Sequence, residues 1–271
     1  MAVVGIPGWI GSSAVSETGQ RWMSAAAGQL RLSAAGYMSR FAGVSREQTI
    51  TIGSTDAYAW STLVNQIKSM GVSGNAFKVV IAGTVISNSA GSPCLYFPSE
   101  LASVDYIELV INGGCGIMGR GGAGGGDNTG GAYSSGQAGG TGVTNEIGGK
   151  LRINNGGYIA GGGGGGGAIN MPTSTQRRIA VPGSGGRPFG PGGTGGYYTS
   201  NGNAASRDAP GARATGGGAT SGGGGNLGGA GENGVNAPDR LDPLPGGAAG
   251  AAVNGNAPAW LAVGTIYGSR V

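Results

Sequence analysis

The sequence predicts a small α+β domain followed by a bundle of glycine-rich, polyproline II-like helices that carries long loops at one end. Three observations lead there. Glycine supplies 65 of the 271 residues, and 51 of the 65 fall between 113 and 255, so the chain divides into an ordinary part and a glycine part. Within the glycine part, Gly113, Gly116, Gly119, Gly122 and Gly125 recur at every third position, as do Gly136, Gly139 and Gly142, and then Gly222, Gly225, Gly228, Gly231 and Gly234. Three residues per turn is the period of polyproline II. In the ordinary part, Trp60, Leu63, Val64, Ile67 and Met70 form the stripe of one amphipathic helix, flanked by short runs rich in β-branched residues.

The first element is the least regular. In residues 1–48, Trp9, Trp22, Tyr37, Met38 and Phe41 sit among Ala, Ser and Gly with neither helical nor strand period. Large side chains on a segment too small to bury them point to an interface with another chain, since such anchors dominate binding energy. The alternative folds them back onto the α+β unit. In that unit, 49–52, 78–86 and 106–111 read as strands. Thr55 or Asp56 is expected to cap the helix that begins near Trp60, and Gly71 to end it. The domain closes at residue 112.

From 113 to 255 the glycine admits three architectures. Collagen needs an unbroken triplet period with Pro at about 15–20% or more, whereas Pro is 12 of 271 residues here and every periodic run breaks. A flexible linker needs a domain beyond it, and only the apolar segment 256–271 follows, which is expected to return to the N-terminal domain. The third architecture folds each run back beside the last and joins the runs by N–H to C=O bonds. Ordering a residue costs about 1–2 kcal/mol while a hydrogen bond returns about 0.5–1.5 net, so nearly every backbone group must be paired. The seven consecutive glycines at 161–167 satisfy any register.

Four segments interrupt the runs: 127–137, 168–182, 197–213 and 235–245. The tracts between them, 138–167, 183–196 and 214–234, are long enough to travel away and return, which puts all four at the same end. Tyr133, Met171, Ile179, Tyr197, Tyr198 and Leu241 supply contact area. Asn128, Asn201, Arg177, Arg178, Arg207, Arg213, Asp239 and Arg240 supply hydrogen bonds and charge. Loops this long without secondary structure are commonly functional, and this composition suits recognition.

Other functions are disfavoured. The chain has no His, only 12 carboxylates and two Cys, so no metal site, cofactor site or nucleophile–base pair is encoded. Cys94 and Cys115 read as small apolar fillers. The 16 basic residues are scattered, with Arg177–Arg178 the only adjacent pair, which argues against nucleic acid. No apolar window is long enough to span a membrane, and the opening is no secretory signal, so the protein is expected to begin near Met1 and to be made in a cytoplasm.

The opening MAVVGIPGWIGSSAVSETGQRW, the stretch EIGGKLRINNGGYIAGGGGGGGA at 146–168, and the alternation of glycine motifs with variable segments resemble the receptor-binding adhesins at the tip of the long tail fibres of T-even-type bacteriophages. The resemblance covers essentially the whole chain. It implies that 1–112 is a fibre-attachment domain capping a trimeric fibre protein, one adhesin per trimer, with Trp9, Trp22, Met38, Phe41 and Trp260 facing the fibre. It also implies that 113–255 is a polyglycine II sandwich whose four loops, with the residues named in them, touch a host outer-membrane protein. The protein would then be a non-enzymatic part of the virion, at the distal tip of the fibre, synthesised in the host cytoplasm. Two other readings stay open: a fibre-assembly chaperone absent from the virion, and an ice-binding glycine bundle, for which the long insertions are unexpected.

Overall fold

The computed structural model describes residues 3, 10–30, 32, 38–42, 46–128, 132–171, 178–195, 200–216, 218–235 and 242–271. The N-terminal segment forms two short helices, α1 (Ile10–Thr18) and α2 (Met23–Gln29), and a 3-10 turn at Met38–Phe41. They enclose a small cluster of Val3, Ala14, Ala26, Ala27, Leu30 and Phe41. Helices here are a departure from expectation: their buried faces are mostly Ala, which leaves no strong apolar stripe to read. Glu17 ties this unit to the next, accepting the Arg46 N–H at 3.1 Å.

The α+β unit is one part of a larger object, a parallel β-helix with three faces. The first coil contains β1 (Glu47–Ile52), β2 (Thr55–Tyr58) and α3 (Trp60–Ser69), the helix standing where a third strand would be. The second contains β3 (Ala76–Ile81), β4 (Thr84–Ser87) and β5 (Leu95–Phe97), so the run expected as one strand bends at a corner into two. The third coil begins with β6 (Tyr106–Ile111) and β7 (Gly116–Met118), leaves the β-helix through a hairpin of β8 (Asp127–Asn128) and β9 (Ala132–Tyr133), and closes with β10 (Val143–Asn145). The fourth begins with β11 (Leu151–Asn155) and β12 (Tyr158–Ala160). It then makes a long excursion containing β13 (Ile169–Met171), β14 (Arg178–Val181), β15 (Thr215–Gly216), β16 (Ala219–Thr220) and β17 (Asp242–Pro243), and closes with β18 (Val253–Gly255). A last half-coil adds β19 (Ala259–Ala262) and β20 (Thr265–Tyr267).

The three sheets have the orders β1-β3-β6-β11-β19, β2-β4-β7-β12-β20 and β5-β10-β18. Every pairing within them is parallel. Register stacks like on like: Ile50, Val79, Leu109, Ile153 and Trp260 form one column. Val85, Ile117, Ile159 and Ile266 form a second, and Leu95, Val143 and Val253 a third. These columns belong to one apolar core. Polar side chains hold the corners, as where Asn155 Nδ2 donates to the Val263 and Thr265 carbonyls at 2.6 and 3.3 Å and its Oδ1 accepts the Gly157 N–H.

Several expectations change as a result. The stretch 113–255 is not nearly free of β-ladder, because β7, β10, β11, β12 and β18 lie within it and belong to the β-helix. Segment 256–271 forms the last half-coil, where β19 and β20 pair with β11 and β12 and not with a strand of residues 1–112. Thr55 and Asp56 lie in β2 and do not cap α3, whose N-cap position is Ala59; Gly71 does adopt the left-handed φ of +87° expected of a helix stop.

Both excursions leave from the corner between the second and third faces, in consecutive coils. Their runs pack side by side with a hydrogen bond at every third residue. Gly119, Gly122 and Gly125 donate to the carbonyls of Ala160, Gly163 and Gly166 at 2.8–2.9 Å, which extends the β7–β12 ladder outward. Run 161–167 is the centre. Gly162 and Gly165 donate to Gly140 and Gln137, Gly163 and Gly166 to Arg187 and Ser184, and Gly164 and Gly167 to Gly229 and Glu232. The same run accepts from Gly122 and Gly125, from Gly222, Gly225 and Gly228, and from Gly247 and Gly250. Six neighbouring runs therefore surround it. A Cβ placed on any of Gly161 to Gly167 would come well inside 3.0 Å of a neighbouring backbone oxygen, so no side chain fits there.

Candidate functional site

The glycine runs reverse direction at two ends. Three reversals lie against the β-helix: Gly190 N–H donates to Gly186, Ser206 N–H to Ala209, and Gly229 N–H to Asn226. Among the described residues five lie at the far end, bracketed by Gly126 and Ser134, by Gly166 and Ser184, by Gly193 and Gly202, by Ala214 and Ser221, and by Gly234 and Leu244. Four of these far reversals fall within the segments that interrupt the glycine runs, 127–137, 168–182, 197–213 and 235–245. The insertion 197–213 is not a single loop: it contains a far turn, a return run, a near turn at 206–209 and an outward run. Its runs are hard to see in the sequence because they lie at the rim of the bundle, where one glycine each, Gly202 and Gly211, faces the interior. The fifth far turn, the β15–β16 hairpin, is not among the expected interruptions, although the Thr215 and Thr220 that flank Gly216–Gly218 carry a hairpin signal.

At the far end, β13 pairs antiparallel with both β14 and β17. The β15–β16 hairpin lies beside β14. Ile169, Val181 and Ala219 form an apolar plug beneath these strands, so the turns rest on a floor of side chains and not on glycine alone. Ser134 Oγ bridges both backbone groups of Gly126 at 3.1–3.2 Å. Asn201 is exposed, and its Oδ1 accepts the Gly195 N–H at 2.9 Å. Arg213 Nε donates to Glu232 Oε2 at 2.6 Å, and the same oxygen accepts the Gly223 N–H at 3.0 Å. The Arg213 hydrogen bond, ahead of that backbone donor, holds the Glu232 carboxyl below the usual carboxylate range.

Of the residues expected at a recognition surface, Asn128, Tyr133, Met171, Arg178 and Ile179 lie on strands that flank far turns, and Asn201 and Arg213 lie beside them. Arg177, Tyr197, Tyr198, Asp239, Arg240 and Leu241 fall outside the described residues. Arg207 is a correction. It occupies the near turn, 3.7 Å from Asp56 of β2, and its carbonyl accepts Arg187 Nε at 2.9 Å. It therefore braces the bundle against the β-helix.

The residues expected to face a second protein also separate. Trp22 is 78% exposed and Met38 45% exposed, with Met23 beside them at 40%. These three line a shallow cleft of about 60 Å³ on the helical segment. Phe41 borders that cleft from below but is 4% exposed, so it serves the small core and not the surface. Trp260 lies on the last coil in register with Ile153, with the Arg270 guanidinium 5.2 Å above its ring. Four strand spacings, about 19 Å in all, separate it from β1, so it does not join the cleft. Trp9 falls outside the described residues.

Cys94 is buried, donates to the Val85 carbonyl at 3.4 Å and has its thiol pushed up to about 12 by desolvation. It fills space, as expected; Cys115 is half-buried and unpaired with it. Among the described residues no group of three His, Cys, Asp or Glu could hold a metal, and no helix is long and apolar enough to cross a membrane.

Comparison with known proteins places this architecture. Residues 47–271 match the family described as phage tail fibre adhesin Gp38, and residues 1–42 match the N-terminal domain of the same adhesins. The receptor-recognizing protein gp38 of Salmonella phage S16 is 38% identical over 263 residues, covering 96% of this chain and 97% of that protein. A chain in the crystal structure of the gp37-gp38 adhesin tip complex of the bacteriophage S16 long tail fibre superposes with a TM-score of 0.69 at 36% identity, over the full length of both.

Proposed function

Since the chain belongs to the Gp38 family of phage tail fibre adhesins, we propose that it sits at the distal tip of the virion's long tail fibre and binds an outer-membrane protein of the host bacterium through its far turns. In this reading it caps a trimeric fibre protein, one copy per trimer, is made in the host cytoplasm and catalyses nothing. The threefold hydrogen-bonded runs are a polyglycine II sandwich, a rigid mast on which loops can vary. The observation that carries the reading is the set of five chain reversals at the end of the bundle remote from the β-helix, on a frame whose central run admits no side chain. Turn residues at such a tip carry few scaffold contacts and tolerate exchange.

Attachment to the fibre is assigned to the helical segment, where Trp22, Met23 and Met38 leave apolar surface uncovered. The S16 relative was solved in complex with gp37, which supports a fibre protein as the partner. The test exchanges 168–182 and 196–201 for those of a relative with another host range. Adsorption should follow the transplanted turns while the melting temperature stays within a few degrees. Unchanged host binding would place recognition elsewhere, and absence of the protein from purified virions would favour the assembly chaperone.

A further inference from the structure

We propose a second binding site, for one pyranose ring of a carbohydrate, in the cleft where the glycine bundle meets the last coil of the β-helix. The cleft has a volume of about 340 Å³ and is lined by Tyr158, Arg187, Asn226, Leu227 and Tyr267. That volume lies at the lower end of the range that holds small molecules, about 300–1,000 Å³. It opens at the near turns, at the opposite end of the bundle from the five far turns, so it stands whatever the tip binds.

The lining has two apolar walls. Tyr158 of β12 and Tyr267 of β20 meet edge to face, with ring centroids 6.2 Å apart and planes at 73°. Parallel walls would sandwich a flat base; walls at this angle form a wedge that suits a puckered ring, its C–H face on one tyrosine and its rim against the other. Leu227 packs in the same apolar cluster as Tyr158.

The polar groups are fixed in place and mostly donors. Arg187 Nε donates to the Arg207 carbonyl at 2.9 Å and Nη1 to Asn226 Oδ1 at 3.0 Å, which sets the plane of the guanidinium. Among the described residues its Nη2 has only Asp208 at 3.8 Å, a carboxylate 83% exposed to water. Asn226 Oδ1 also takes the Leu227 N–H at 2.9 Å, so its oxygen is committed and its amide N–H groups have no protein acceptor among the described residues. Among the described residues no carboxylate lines the cleft, which disfavours a cation. A single guanidinium beside a planar amide matches adjacent hydroxyl oxygens on a sugar.

Saturation-transfer NMR of the full chain with the methyl glycosides of glucose, galactose and N-acetylglucosamine should give transfer to at least one. Tyr267→Ala should abolish it. Asn226→Asp keeps the oxygen that accepts from Arg187 and Leu227 but removes the amide donors, and should weaken binding at least tenfold. Both variants should melt as the wild type does. A fragment of bacterial surface polysaccharide that binds more tightly than its component glycoside identifies a cell-surface glycan as the source; equal binding identifies the free sugar, and either supports a pyranose ligand. No transfer from any glycoside overturns the proposal, as does transfer unchanged in Asn226→Asp, a result that stays decisive if Tyr267→Ala does not fold. Host adsorption through the tip, measured on the same variants, is expected to hold and separates this site's failure from the tip's.

Discussion

The β-helix and the glycine bundle are built from the same chain, and alternate segments of it, on opposite principles. In the β-helix, side chains hold the structure: columns of Ile, Val and Leu fill the interior while the backbone bonds in parallel ladders. In the bundle the backbone is both frame and filling, since run 161–167 bonds to six neighbours and admits no Cβ. Burial of apolar surface is non-directional and degrades gradually as atoms are removed. A packed lattice of backbones is directional and fails as soon as one atom is added. The two regions should therefore respond in opposite ways to the size of a side chain.

The largest effect is expected at the centre of the bundle. Gly164→Val places a branched side chain against the Gly247 carbonyl, and the loss should exceed the roughly 4–5 kcal/mol beyond which point mutations are exceptional. It would be seen as insoluble protein or the loss of a cooperative melt. Gly164→Ala should be nearly as damaging; a wild-type melting curve for it would break the contrast. Next comes Leu109→Ala in the β-helix, where Leu109 is fully buried between Val79 and Ile153. Removing atoms there should cost about 2–5 kcal/mol by chemical denaturation, with the fold retained.

A smaller effect on stability, and a large one on association, is expected for Trp22→Ala. At 78% exposure its removal should move folding stability by no more than about 0.5 kcal/mol, while binding to the fibre protein should weaken by about 2 kcal/mol or more, as for an anchor residue. A co-purification assay decides it. The smallest effect belongs to the ion pair of Arg213 and Glu232, whose side chains are each about half exposed. The folded carboxyl is held below its ordinary range, so its contribution is complete at neutral pH and is lost as pH falls through about 4.3 and below. Glu232→Gln should lower the melting temperature slightly at neutral pH and leave it nearly unchanged in acid, which flattens the acid side of the melting-temperature profile.

The same contrast explains which parts of the molecule are legible in the sequence. The bundle is legible because its constraint is local and absolute: a position facing a neighbour's carbonyl must be Gly, so Gly119, Gly122 and Gly125 announce both the period and the bonding partners three apart. The β-helix is not legible as one object. Its second and third faces are built from strands as short as Val143–Asn145 and Tyr158–Ala160, set inside glycine-rich sequence, and their partners lie far along the chain. At the tip the location of the turns is legible from the interruptions. Arg207 is misplaced by composition because a near turn and a far turn are made of the same residue types, and only the Asp56 contact tells them apart. Phe41 is misassigned because a cluster of Ala in the helices gives it a core that the pattern does not advertise.

The corner from which both excursions depart also bears on synthesis. Chains emerge from the ribosome in order at about 5–20 residues per second, yet the central run 161–167 needs partners as far along as Gly247 and Gly250, and its first N–H is taken by the carbonyl of Tyr267. Each glycine hairpin therefore emerges, on a timescale of seconds, with half its partners unmade, and Gly-rich backbone in that state has little to hold it. The β-helix coils that precede each excursion can form from residues already made and keep the two roots of the bundle adjacent. Translation that stalled before residue 253 would leave the base without β18, β19 and β20 and the central run without the Tyr267 carbonyl, so truncation late in the reading frame should be more damaging to host recognition than its length suggests.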